Sequence, residues 1–284
     1  MTTKLALVIQ GGGTRGAYAS GVLDVLMERG IWADAVYGTS AGALCGVGYV
    51  SRDRGRSDRM FVGMNGELRF VRPLNLLLRG SAIDFDDMFF GLSRRQLPFD
   101  ADTFFSSKTE FYVCATSCES GEAVYFSKLD PEFWDGLAAS ASLPLATKPR
   151  LVRGRPYLDG GIVVPVALPK ALEDGAKKVI VVLTREKGYR KKPLSSLRKR
   201  IANLMYGRYH RFMRAYRQSN VIYNKEMDRV DRFVEEGKAF AIYPEIPPRI
   251  GHVEKDKSKI QALIDAGRKD ALKAFPALKE YLSK

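Results

Sequence analysis

Ser40 is the residue of this chain best placed for covalent chemistry. It is centred in Gly38-Thr39-Ser40-Ala41-Gly42, directly after the apolar run Ala35-Val36-Tyr37. A serine hydroxyl is a weak nucleophile unless a base takes its proton and a sharp strand-to-helix turn holds it exposed. Such a turn leaves room only for small residues two positions away on each side, which Gly38 and Gly42 supply. Alone, the pentapeptide also fits an ordinary glycine turn. Upstream, Gly11-Gly12-Gly13-Thr14-Arg15-Gly16 follows a second apolar run, Leu5 to Ile9. Consecutive glycines ahead of a helix offer unpartnered backbone N–H groups and the favourable end of the helix dipole, as an oxyanion requires. A nucleophile with oxyanion donors points to acyl transfer.

Two competing readings bear on these residues. Gly11-x-Gly13-x-x-Gly16 also fits a dinucleotide-binding fingerprint, which wants an acid at the end of the second strand. The acid near that distance, Asp34, precedes the second strand, and the strand ends in the serine turn instead. For the base, both histidines, His210 and His252, follow Ser40 in the order a triad would need, yet neither has motif context. Asp159 ends a strand-like segment before Gly160 and Gly161, which permit close backbone approach. A partly desolvated aspartate can accept the proton directly. Its plainer reading is an Asp-Gly turn.

Together these motifs resemble those of the patatin-like phospholipases, which carry a G-G-G-x-R-G loop, a G-x-S-x-G turn and a D-G-G or D-G-A motif. A further family block, A-S-x-x-x-P, matches Ala139-Ser140-Ala141-Ser142-Leu143-Pro144. The resemblance implies Ser40 as nucleophile and Asp159 as its base. It places the oxyanion hole at Gly11, Gly12 and Gly13 with the Thr14 and Arg15 region. Gly16, Gly38, Gly42, Gly160 and Gly161 support the motifs. It further implies hydrolysis of lipid carboxylic esters, of lipase, phospholipase A or lysophospholipase type, with no metal and no cofactor. The implied fold is a three-layer α/β/α sandwich with a mostly parallel central sheet. A lipid acyltransferase using the same dyad is the alternative within enzymes. A non-catalytic protein that binds lipid surfaces is the alternative outside them.

The elements that must position these residues are legible as alternating strands and helices. Lys4–Gln10 and Ala35–Thr39 read as buried strands. Thr14–Arg29 and Ala41 to about Tyr49 read as the helices after them, the order of a parallel sheet. Further strands are expected at Glu110–Thr116, Glu122–Ser127, Arg150–Leu158, Lys178–Leu183 and Ala239–Tyr243. Helices are expected at Pro131–Ser142, Val166–Asp174 and Asp256–Leu282, the last kinked or broken near Pro276. The clusters Leu74 to Leu78 and Met88 to Phe90 suit either packing or a lipid tail. The division expected is a catalytic core over residues 4–184 and a basic, largely helical C-terminal extension over 185–284, packed on the core.

The chain has 284 residues, 45% of them hydrophobic, enough for a substantial core. No run of roughly 18 apolar residues offers a membrane span, and the apolar run at the N-terminus is too short for a secretory signal. Three cysteines at no zinc spacing read as reduced thiols, and with two histidines a metal site is not expected. A cytoplasmic protein is expected, with peripheral contact at the inner face of a membrane. The net charge is +14. Lys and Arg crowd Arg185 to Arg217 against a single acid, Glu186, while Leu194, Leu197, Ile201, Leu204, Met205, Tyr209, Phe212, Met213 and Tyr216 recur at helical spacing. One basic amphipathic helix over residues 194–217 could lie on an anionic membrane or dock on the core with a solvated basic face. No nucleic-acid reading motif accompanies the charge, so no nucleic-acid partner is expected.

Overall fold

The computed structural model describes residues 5–66 and 100–284; the apolar clusters at 74–78 and 88–90 lie outside them. Five strands form a parallel run: β1 (Leu5–Ile9), β2 (Ala35–Thr39), β3 (Glu110–Ser117), β7 (Lys178–Val182) and β8 (Ala239–Ile242). Their spatial order is β3-β2-β1-β7-β8. Beyond β3 the sheet turns antiparallel. β4 (Ala123–Ser127) and β6 (Arg155–Asp159) both pair with β3, and β5 (Arg150–Val152) closes the edge against β6.

Alternation along the strands produces three layers. Leu7 and Ile9 of β1, Val36 of β2 and Ile180 and Val182 of β7 enter one hydrophobic cluster. Their neighbours Ala6, Val8, Ala35, Tyr37, Val179 and Val181 enter another on the opposite face. Helices α1 (Gly16–Glu28) and α2 (Ala41–Val50) cover the first face, with α5 (Phe133–Ser140). The second face is covered by α6 (Leu168–Glu173) and α9 (Ser219–Glu235). Two further helices, α3 (Arg56–Gly66) and α4 (Ala101–Ser106), flank the core. With both faces covered, the inner strands read as unbroken apolar runs.

Two expectations about the C-terminal region need correction. The basic stretch is not one helix. It divides into α7 (Ser196–Tyr206) and α8 (His210–Arg217) at Gly207, where the Tyr209 N–H closes a turn on the Tyr206 carbonyl at 2.8 Å. The final helix, α10 (Lys257–Ser283), runs through Pro276 unbroken, which overturns the break, one of the two alternatives expected there. Proline removes one backbone donor, and Leu272, whose carbonyl would have accepted it, is exposed. Ile264, Ala271 and Leu278 anchor the helix on both sides against the first core cluster. The region from 185 onward is also woven into the core, because β8 extends the parallel sheet beside β7.

Candidate active site

β2 ends at Thr39 and α2 begins at Ala41, so the turn is made by Ser40 alone, at φ 54° and ψ −126°. A residue with a side chain held there costs about 1–3 kcal/mol, and its surroundings hold it. Its carbonyl accepts from Ala43 and Leu44 at 2.9 and 3.2 Å. Its N–H donates to Ser140 Oγ at 2.9 Å. A side chain at Gly42 would overlap the Ile9 carbonyl, and one at Gly38 the backbone of Ala43. That is the close approach of strand to helix that demands glycine.

Ser40 Oγ donates to Asp159 Oδ2 at 2.6 Å. Asp159 is the last residue of β6, paired with Ala115 of β3. Its N–H donates to the Ser142 carbonyl at 2.9 Å, and its own carbonyl accepts from Thr116 Oγ1 at 2.8 Å. The Gly161 N–H donates to its second carboxyl oxygen at 2.7 Å. Gly160 packs against the Cys114 carbonyl with no room for a side chain. Ser40 and Asp159 are 5% and 4% exposed. Burial lifts the Asp159 carboxyl to about 6, against the opposing pull of the bonds from Ser40 and Gly161 and of the Lys191 charge. Above that pH it is a carboxylate with weakened hydration, and so a stronger base than a free aspartate.

The glycine loop lies against this pair. A Cβ at Gly11 would come within 2.8 Å of Ser40 Cβ. The Gly11 carbonyl accepts from Thr184 Oγ1 at 2.7 Å and the Gly12 carbonyl from Arg15 N–H at 3.3 Å. In a trans peptide the carbonyl and the next N–H point oppositely, so these bonds fix the directions of the Gly12 and Gly13 amides. Among the described residues nothing accepts from the N–H groups of Gly11, Gly12 or Gly13. Gly13 has φ +58° and abuts the His252 carbonyl. Thr14 and Arg15 depart from the expected donor role. The Thr14 N–H is already taken by the His252 carbonyl at 2.9 Å, and that of Arg15 by Gly12. Gly16 opens α1, packed against Ala41 and Phe61.

Ser40, Asp159 and the glycine loop line a cavity of about 390 Å³ whose lining also includes an apolar set and a basic set of side chains. Leu143, Leu145, Ile162 and Pro165 contribute to the first, and Arg15, Arg185, Lys191 and Arg198 to the second. His252 also lines it, with its ring nitrogens 3.2 and 3.4 Å from Arg15 Nη2. Burial, then the Arg15 charge, hold this imidazole down to about 4, so it is neutral at physiological pH. His210 is exposed at the start of α8 and is absent from the cavity wall. Among the described residues no three His, Cys, Asp or Glu side chains gather as a metal site. Cys45, Cys114 and Cys118 are free and buried.

Sequence reasoning gave no site role to Thr184, which orients the loop, or to Arg185 and Lys191, and it set His252 aside for lack of motif context. All four reach the cavity from positions at no fixed spacing to the motifs. The one signal for them was the density of basic residues after β7.

The serine turn, the buried carboxylate and the loop of unpartnered amides meet at one cavity of an α/β/α sandwich. The chain belongs to the patatin-like phospholipase family: the family model described as "Patatin-like phospholipase" matches residues 7–170. A second, described as a domain of unknown function (DUF6363), matches residues 209–283. The uncharacterized protein YjjU of Escherichia coli (strain K12) is 31% identical over 186 residues, 64% of this chain. The match spans 52% of that relative's length, about half. The crystal structure of VipD from Legionella pneumophila aligns with a TM-score of 0.49 at 13% identity, over 98% of this chain and 67% of the other.

Proposed function

We propose that this protein is a serine acyl hydrolase of lipid esters in which Ser40 is the nucleophile and Asp159 its base. The observation that carries the reading is the 2.6 Å hydrogen bond from Ser40 Oγ to the buried Asp159 carboxylate. Ser40 Oγ attacks the ester carbonyl as its proton passes to Asp159 Oδ2. The tetrahedral oxyanion is held by the N–H groups of Gly11, Gly12 and Gly13, with the N-terminus of α2 adding its dipole. The C–O bond to the alcohol breaks, and the alcohol leaves with the proton from Asp159. Water then attacks the acyl-Ser40, giving a proton to Asp159. Ser40 leaves the acyl group and takes that proton back.

The acyl chain is assigned to the apolar residues that line the cavity, Leu143, Leu145, Ile162 and Pro165. The same mouth supports peripheral contact with an anionic membrane. Helix α7, whose Arg198 lines the cavity, carries Leu197, Ile201 and Leu204 at 67%, 40% and 88% exposure, with Arg200 exposed beside them. The reading is tested by hydrolysis of a short p-nitrophenyl ester. Ser40→Ala and Asp159→Asn should each lower kcat/KM by about a thousandfold or more with unchanged circular dichroism. Full activity in a folded Ser40→Ala protein would end it.

A further inference from the structure

Among the described residues, the cations lining the cavity make no ion pair. Arg15 is 5% exposed, and its Nε is buried without a hydrogen-bond partner. Its Nη atoms reach only the Ile250 carbonyl and the His252 ring, which is itself neutral. Arg185 stacks on Tyr189, with its guanidinium carbon 4.3 Å from the ring centre, and Lys191 Nζ lies 5.9 Å from that of Tyr223. Among the described residues no carboxylate comes within ion-pairing distance of Arg15, Arg185, Lys191 or Arg198. Among the described residues Asp159, engaged by Ser40 and Gly161, is the sole acid lining the cavity, and Glu186 pulls on Arg15 less than Arg185 pushes. Burial, helped by the Arg15 and Arg198 charges, weakens the hold of Lys191 on its proton, against the opposing pull of Asp159. Arg15 is buried, Arg185 and Lys191 are partly buried and Arg198 is exposed; gathering partly desolvated cations without ion pairs is costly, and a bound anion offsets the cost.

We infer that Arg185, Lys191 and Arg198 form a subsite for a negatively charged phosphate head group next to the scissile ester, selecting anionic lipid esters over neutral ones. This deepens the acyl hydrolase reading and rests on it. The residues lie outside the motifs that carry Ser40, Asp159 and the glycine loop. The Tyr189 and Tyr223 rings, at 87° to each other, lie against the charged heads of Arg185 and Lys191, so two of the cations are placed before the ligand arrives. Phosphate is the chemistry that such a set of guanidinium and ammonium donors recognises best.

The test compares a short-chain monoacylglycerol, its phosphate monoester and its phosphocholine diester, all below their aggregation concentrations. The expected kcat/KM for the phosphate monoester exceeds that for the monoacylglycerol by about tenfold or more, carried by KM. Lys191→Gln, Arg185→Gln and Arg198→Gln should each shrink that ratio severalfold. Inorganic phosphate should raise KM for the monoester and not for the monoacylglycerol. Equal kcat/KM for the charged and neutral esters, or variants that lower both alike, would overturn the subsite while leaving the hydrolase intact. If the wild-type protein cleaves none of the three, the hydrolase reading fails. The subsite then stands or falls on calorimetry, in which Ser40→Ala protein should bind the phosphate monoester at least tenfold more tightly than the monoacylglycerol.

Discussion

Asp159 is buried among groups that favour its charge, yet burial outweighs them and its carboxyl ionises at about 6. The consequence for rate has a definite sign. A base must be deprotonated, so kcat/KM on a neutral soluble ester should rise as pH climbs through about 6 and level off above it. The neighbouring His252 ionises at about 4, so it cannot produce that limb, and His252→Gln should keep it at the same pH whatever it does to the plateau. Disappearance of the limb in that variant would move the base to the imidazole. Stability runs the other way. Because folding raises the Asp159 value, the stability it contributes is complete below the ordinary carboxylate value of about 4 and is lost as pH rises through about 6. Asp159→Asn should therefore melt above the wild type at pH 8, with the difference closing near pH 4.

Between β7 and β8 lie the elements least legible in the sequence. Around Ser40 and Asp159 the residue types are dictated by contacts only a few positions apart, a turn with no room for side chains and an amide on a carboxylate, so short motifs express them. In the basic stretch the apolar recurrence was visible, but its division between two environments was not. Ala202, Tyr206, Phe212, Met213 and Tyr216 are buried, whereas Leu197, Ile201 and Leu204 face outward. Helical spacing alone cannot separate a core face from an exposed one, and Gly207 divides the stretch at a point the periodicity carries straight through. If α7 meets lipid, binding to anionic vesicles should weaken as salt rises from 0.05 to 0.5 M, because screening shortens the reach of Arg198 and Arg200. Changing Leu197, Ile201 and Leu204 together to Ser should weaken it about tenfold or more at fixed salt. Vesicle binding indifferent to both would leave α7 as a solvated helix.

For the whole molecule, the sequence predicts a catalytic core ending near residue 184 with an extension packed on it. The sheet and the cavity cross that boundary. β8 pairs with β7 in register from Val179 with Ala239 to Val182 with Ile242, and Ile260, Ile264 and Leu278 of α10 are fully buried in the same cluster as α1. The His252 carbonyl also fixes the Thr14 amide beside the glycine loop. Such couplings between distant segments have no local signature, which is why the division looked plausible from composition. A chain cut after residue 184 should lose the cooperative melting transition as well as hydrolysis; a folded, active 1–184 fragment would restore the two-part description. The most direct test of the central claim is the rate at which a fluorophosphonate probe labels the intact protein, with the modified residue mapped by mass spectrometry across pH 5 to 9. The account predicts labelling at Ser40 alone, rising through pH 6 and lost in Asp159→Asn. Labelling at another residue, or at Ser40 with undiminished rate in the Asp159→Asn protein, would contradict it.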